Sequence, residues 1–245
     1  MYNALIALAV GILVAACVKL AGFSIWAGVI PGTIAFLGVF ILMARRIGQK
    51  MQLLVSAAQK ELSVQPANAK DRQQRVDRGI QILEKGLAYK NWQPLVASEI
   101  HAQIGMLKYV SKDLDGAQRH LAQANPRNAM AHAMSGALYF QKKDPEKMRR
   151  AFDRAIKAGK KDPLVWAVYA WCLGQLKQRD EALSVLSRAV EANPNDAKLK
   201  ASLASLQNDK KLKMRAYEPG WWQFGLEAPP MQQMGGQRRV QFQRR

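Results

Sequence analysis

Acidic residues are scarce in this chain: 18 Asp and Glu stand against 37 Lys and Arg in 245 residues, a formal net charge of +19. An imbalance of that size draws a protein toward anionic surfaces and says nothing of its fold. Histidine and cysteine are scarcer still, with three and two copies. His101, His120 and His132 show no metal-ligand spacing. Cys17 and Cys172 make no disulfide framework, which suits a reducing compartment. A glycine-rich phosphate loop, a nucleophile elbow and a dinucleotide fingerprint are missing too. These absences leave no catalytic constellation, and the expectation is a non-enzyme with no cofactor, no metal and no small-molecule substrate.

Charge is also absent where apolar residues are densest. Between Ala4 and Met43 the one charged residue is Lys19. A single helix through that run would be about 60 Å long, twice the hydrocarbon thickness of a bilayer. Two spans are expected instead, near residues 2–18 and 24–44, turning at Lys19–Ser24, with Pro31-Gly32 bending the second. Arg45, Arg46 and Lys50 follow the second span and put that end, and with it both termini, on the cytoplasmic side. A bacterial inner membrane is the expected setting. Lys19 would extend its amine to the opposite interface, with Trp26 at the same level. Gly11, Ala15, Ala16, Gly28 and Gly32 suit close helix approach and offer a docking surface. Val14-Ala15-Ala16-Cys17 resembles a lipoprotein cleavage box, but no basic residue precedes it and a second apolar run follows it.

Beyond the apolar run, Leu54, Ala58 and Leu62 mark one face of an amphipathic helix that Gln65-Pro66 ends. Val76, Ile80, Leu83 and Leu87 predict another helix over about Lys70–Tyr89. Gly79, Leu83 and Gly86 are spaced like a repeat's second helix, so this pair is a degenerate repeat or a cap.

From Ser98 to Pro194 small residues recur in register. Gly105, Gly136 and Ala170 fall at one repeat position, and Ala124, Ala155 and Ala189 fall nineteen residues after each. The steps, 31 and 34 residues, pair two helices per unit in a superhelical array. Trp166, Tyr169, Ala170 and Leu173, followed by Ala182, Leu186, Ala189 and Pro194, carry a resemblance to the tetratricopeptide repeat family. A second unit keeps Gly136, Tyr139, Phe152 and Ala155, with His132, Ser135 and Met148 as departures. The first keeps Ile104, Gly105, Ala117, Leu121 and Ala124, with Lys108 where the family prefers an aromatic. Asp144-Pro145, Asp162-Pro163 and Asp196 are helix-start signals, and Asp196–Leu206 reads as a closing helix.

The resemblance covers roughly two-fifths of the chain and implies a binding scaffold whose first helices line a concave face. On that face it places a candidate partner-binding groove of Met106, Tyr109, Met130, Phe140, Leu164 and Trp171, suited to an amphipathic helix or an aromatic peptide. Lysine and asparagine are missing there, which departs from the family's carboxylate clamp. The plainer alternative is that these side chains fill space between helices. After Asp209 little regular structure is expected, yet Trp221, Trp222 and Phe224 should bind something, their own groove being one choice. Arg149, Arg150 and Arg154, with Arg45, Arg46 and Lys50, are candidates for an anionic surface.

The expected architecture is all-α: a transmembrane helical hairpin (1–45), juxtamembrane helices (46–94), an α-solenoid of about three repeats with a closing helix (95–207) and a basic aromatic tail, mostly irregular (208–245). The expected function is a membrane-anchored interaction scaffold that holds a protein partner, peptide or amphipathic helix, beside the lipid bilayer. A membrane-tethered binder of a polyanion, ribosome or nucleic acid, is the alternative; nucleic acid ranks behind anionic lipid because no nucleic-acid module is present.

Overall fold

A computed structural model describes residues 2–228, whose regular elements are all helices, with no strand among them. The expected basic end of the tail, Arg238, Arg239, Arg244 and Arg245, lies outside the described residues.

Two helices, α1 (Tyr2–Leu20) and α2 (Ile25–Ser63), pack antiparallel and are long and apolar enough to cross a membrane. Their contact is made by missing side chains. A Cβ on Gly11 would sit 2.9 Å from the Gly32 carbonyl oxygen, and one on Gly28 would sit 2.9 Å from that of Ala15. The small residues expected to offer a docking surface are thus largely consumed inside the hairpin, because backbones this close leave no room for a third partner. Cleavage at Cys17 would remove Ala7 and Gly11, both buried in that interface.

Ser24 caps α2, accepting from the Ala27 N–H. Pro31 lies inside the helix, which continues 39 residues without a break and so carries the amphipathic segment as its own extension. Helix α3 (Ala69–Glu84), capped by Asn68, returns along that extension, with Gly79 against Leu62 and Arg78 paired with Glu61. It stops short of the expected Tyr89, tightening into a 3₁₀ turn over Lys85–Tyr89. Ile100 and Leu54 close on Gly86 there, and a Cβ at that glycine would lie 2.6 Å from Ile100 Cδ1. The chain then meets the start of α1: the Tyr2 N–H donates to the Asn91 carbonyl at 3.0 Å, and the Trp92 ring meets Tyr2 edge-on at 5.7 Å.

Three helix pairs follow: α4 (Val96–Val110) with α5 (Leu114–Leu121), α6 (Ala129–Gln141) with α7 (Pro145–Ala158), and α8 (Pro163–Gln175) with α9 (Arg179–Ala192). Helix α10 (Ala197–Gln207) closes the stack with Leu199 and Leu206. Within pairs, the repeat glycines admit the partner helix: Leu121 presses on Gly105 and the Phe152 ring on Gly136. Between pairs, Phe152 stacks on Tyr169 at 4.9 Å. Asp113, Asp144, Asp162 and Asp196 cap their helices by accepting from backbone N–H groups two or three residues on.

Inside each pair the turn is the same. Lys112, Lys143 and Lys177 are left-handed (φ 70, 58 and 61°). The following N–H of Asp113, Asp144 and Gln178 reaches back to the carbonyl of Lys108, Tyr139 and Leu173 respectively, a Schellman closure.

Candidate groove and its aromatic tail

The candidate groove lies on the first helices of the three pairs, α4, α6 and α8, which pack side by side. Tyr109 projects from the end of α4, Phe140 from the end of α6, and Leu164 and Trp171 from the two ends of α8. The Phe140 and Trp171 rings meet edge-on at 5.8 Å. The segment after Asp209 then lies across this face. Trp221 packs edge-on against Trp171 at 5.0 Å and is 1% exposed; Phe224 is fully buried. The Tyr109 hydroxyl donates to the Phe224 carbonyl at 2.6 Å and accepts from Gln141 Nε2 at 2.7 Å. Gly220 lies against Leu164, where a Cβ would come within 2.6 Å of a methyl.

Three of the six groove residues therefore meet the tail, Tyr109, Leu164 and Trp171, while Phe140 meets Trp171. Met106 and Met130 are half-buried and pack against the core of the array instead. Of the tail anchors, Trp221 and Phe224 are buried while Trp222 stays half-exposed. The tail forms two short 3₁₀ turns, Met214–Tyr217 and Gly220–Phe224, where little regular structure was expected. Burial supplies the order that local sequence does not: fully burying a large apolar side chain is worth about 1.5–3 kcal/mol.

Sequence reasoning missed Gln141, Met214 and Tyr217. Met214 and Tyr217 are buried, and the Tyr217 hydroxyl shares a 2.9 Å hydrogen bond with Ser202 on α10. Their signal was faint because a lone Met and Tyr in a Lys-rich stretch read as linker. Gln141 sits on the last residue of α6, where a polar side chain reads as surface.

Burial keeps two titratable groups of the array neutral. Burial pushes the Tyr109 hydroxyl well above the usual phenol range, and burial likewise pushes the Cys172 thiol far up, so neither offers an anion at neutral pH. No cluster of three or more His, Cys, Asp or Glu able to hold a metal occurs among the described residues. His101 and His120 approach at 3.1 Å between their Nδ1 atoms, and burial, then His101, lowers the pKa of His120.

The expected anionic surface is divided. Arg45, Arg46 and Lys50 are exposed on α2, with Lys50 over the Tyr89 ring at 5.3 Å. Arg149 is committed elsewhere, donating to both carboxylate oxygens of Glu181 on α9 at 2.8 and 3.1 Å. Arg150 approaches Glu146 at 3.7 Å. Arg154 is exposed beside a cleft that it shares with His132, whose Nε2 has no hydrogen-bond partner. Burial, then Arg154, lowers the pKa of that histidine.

No curated protein matches the chain. Residues 149–206, from the second half of one helix pair through the next pair and into α10, match the family model described as tetratricopeptide repeat. Domains of this family bind protein partners in general. Residues 149–206 are thus similar to tetratricopeptide repeats, and they stack behind two long apolar N-terminal helices.

Proposed function

We propose that this chain is a membrane-anchored adaptor, in which α1 and α2 span a bilayer and the helical array holds a protein partner through its concave face. The observation that carries the reading is the aromatic tail in that groove. Trp221 and Phe224 are seated in it as a peptide ligand would be, with a backbone carbonyl captured by Tyr109. A groove that accepts its own segment accepts a partner peptide of like chemistry: two aromatic anchors in a short extended or 3₁₀ stretch. Tethering gives the tail an effective concentration on the order of millimolar, so it competes with any external ligand and sets a threshold for partner binding. Arg45, Arg46 and Lys50, exposed at the end of the proposed span, would meet anionic headgroups for about 1 kcal/mol each. Arg149, spent on Glu181, is left out of that surface.

The test uses the chain's own tail as a probe. A synthetic peptide of residues 216–228 should bind the chain truncated after Arg215 and fail to bind the intact chain, by calorimetry or fluorescence anisotropy in detergent. A truncated chain that keeps its helicity and ignores the peptide would sink the reading. Anchoring is tested separately, by retention in the membrane fraction after alkaline carbonate washing, with extraction into the supernatant as the contrary result.

A further inference from the structure

An apolar cleft of about 430 Å³ lies between α2 and the start of α4, lined among others by Phe40, Met51, Leu54, Val55, Leu95 and Ile100. Two of its polar neighbours are already engaged: Gln103 donates to Glu99 at 3.3 Å, and Glu99 also accepts from Asn128. Apart from Gln93 and Asn125, its remaining wall is apolar. Exposing such a wall to water is unfavourable by roughly 25 cal/mol per Å².

Its height along the hairpin follows from the helix pairing. Gly11 faces Gly32 and Ala15 faces Gly28, so Tyr2 stands at about the level of Ile41. Tyr2 touches Asn91 and Trp92, which fixes the 89–95 loop at that same level. Phe40 lies just on the apolar side of it, and charge returns on α2 at Arg45 and Arg46. The cleft therefore opens where the proposed span leaves the hydrocarbon. Leu95 stands at its mouth, 53% exposed and left-handed (φ 77°), a backbone state that costs a leucine about 1–2 kcal/mol. Trp92 at the same loop is the residue type enriched at membrane interfaces.

We propose that this cleft binds one acyl chain of a bilayer lipid, which enters from the adjacent leaflet past Phe40 and Leu95 and lies between α2 and α4. The inference rests on reading α1 and α2 as membrane spans. The bilayer is the occupant that the position selects, because its hydrocarbon is continuous with the mouth and needs no transfer through water.

The experiment places the full chain in nanodiscs of phosphatidylcholine carrying a photoactivatable diazirine in one acyl chain, and maps the adducts by mass spectrometry. Adducts are expected on Leu54, Val55 or Ile100, as well as on exposed span residues such as Leu13, Ile30 and Ile34. Val55→Trp, which fills the cleft, should abolish the first set and spare the second, with an unchanged thermal melt. Leu95→Gln, at the mouth, should diminish the first set alone. Adducts on the spans but none in the cleft of the unmodified chain would overturn the site and leave the anchor standing. Cleft adducts that survive Val55→Trp in a folded chain would also overturn it. Absence of adducts from the spans would overturn the anchor, and the site with it.

Discussion

Lys112, Lys143 and Lys177 hold one backbone state at one place in three successive turns, and their spacing repeats the 31- and 34-residue steps of the small residues. A left-handed lysine is disfavoured by its Cβ, so a glycine there removes a cost that the turn otherwise carries. Lys143→Gly should raise the stability of the chain by about 1 kcal/mol, read as a higher thermal midpoint in detergent. The regularity was in the sequence all along, but lysine is not a turn residue and its side chain gives no hint of φ. The Tyr109 hydroxyl is a second single-residue device, tying α4, α6 and the tail at one point. Tyr109→Phe leaves the Phe224 carbonyl and the Gln141 amide without that partner, and should cost about 1–3 kcal/mol. Weaker tail docking would show as weaker binding of the 216–228 peptide to the chain truncated after Arg215 when it carries Tyr109→Phe.

Among the elements, helix starts were the most legible part of the sequence, because an Asp ahead of a Pro states a cap and a first turn in two letters. Asp144-Pro145 and Asp162-Pro163 do so for α7 and α8. Helix ends were less legible: α3 stops at Glu84 where apolar spacing continues to Leu87, since Gly86 must admit Ile100. That decision is made by a residue fourteen positions away, which no local pattern contains. Gly136 was read as a repeat position, and the structure supplies the cause. A Cβ there would lie 2.6 Å from the Phe152 ring, itself wholly buried and stacked on Tyr169. Gly136→Ala should therefore destabilise by about 1–3 kcal/mol despite alanine's better helix propensity, which thermal unfolding of the variant would check.

For the molecule as a whole, alkaline pH offers a probe of the joined array and tail. Burial raises the phenols of Tyr109 and Tyr217, and raises Tyr169 to about 12. In the unfolded chain tyrosines lose their protons near pH ~10, so above that pH the unfolded state holds fewer protons than the native one. Their contribution is complete below pH ~10 and is lost as pH rises through the native values. The thermal midpoint should fall above pH ~10, less steeply in Tyr109→Phe. At the other end, His120 and His132 are depressed, so their contribution is present above pH ~6.5 and lost as pH falls. The repeat register grouped Tyr109, Leu164 and Trp171, which meet the tail, with Met106 and Met130, which pack against the core. The tail's place among them was not legible, since Trp221 lies fifty residues from Trp171 and only the completed superhelix brings the two together.

Helix α2 runs on through Pro31 without interruption. At 1.5 Å per residue its 39 residues make a rod about 58 Å long, of which about 26 Å lies beyond Arg46, clasped by α3. Seated in a bilayer, such a rod answers a thicker or thinner hydrocarbon layer by leaning, and a lean of about 10° swings its far end by about 5 Å. The helical array would ride that motion as the arm of a lever, turning a few ångströms of membrane thickness into a change of heading for whatever it carries.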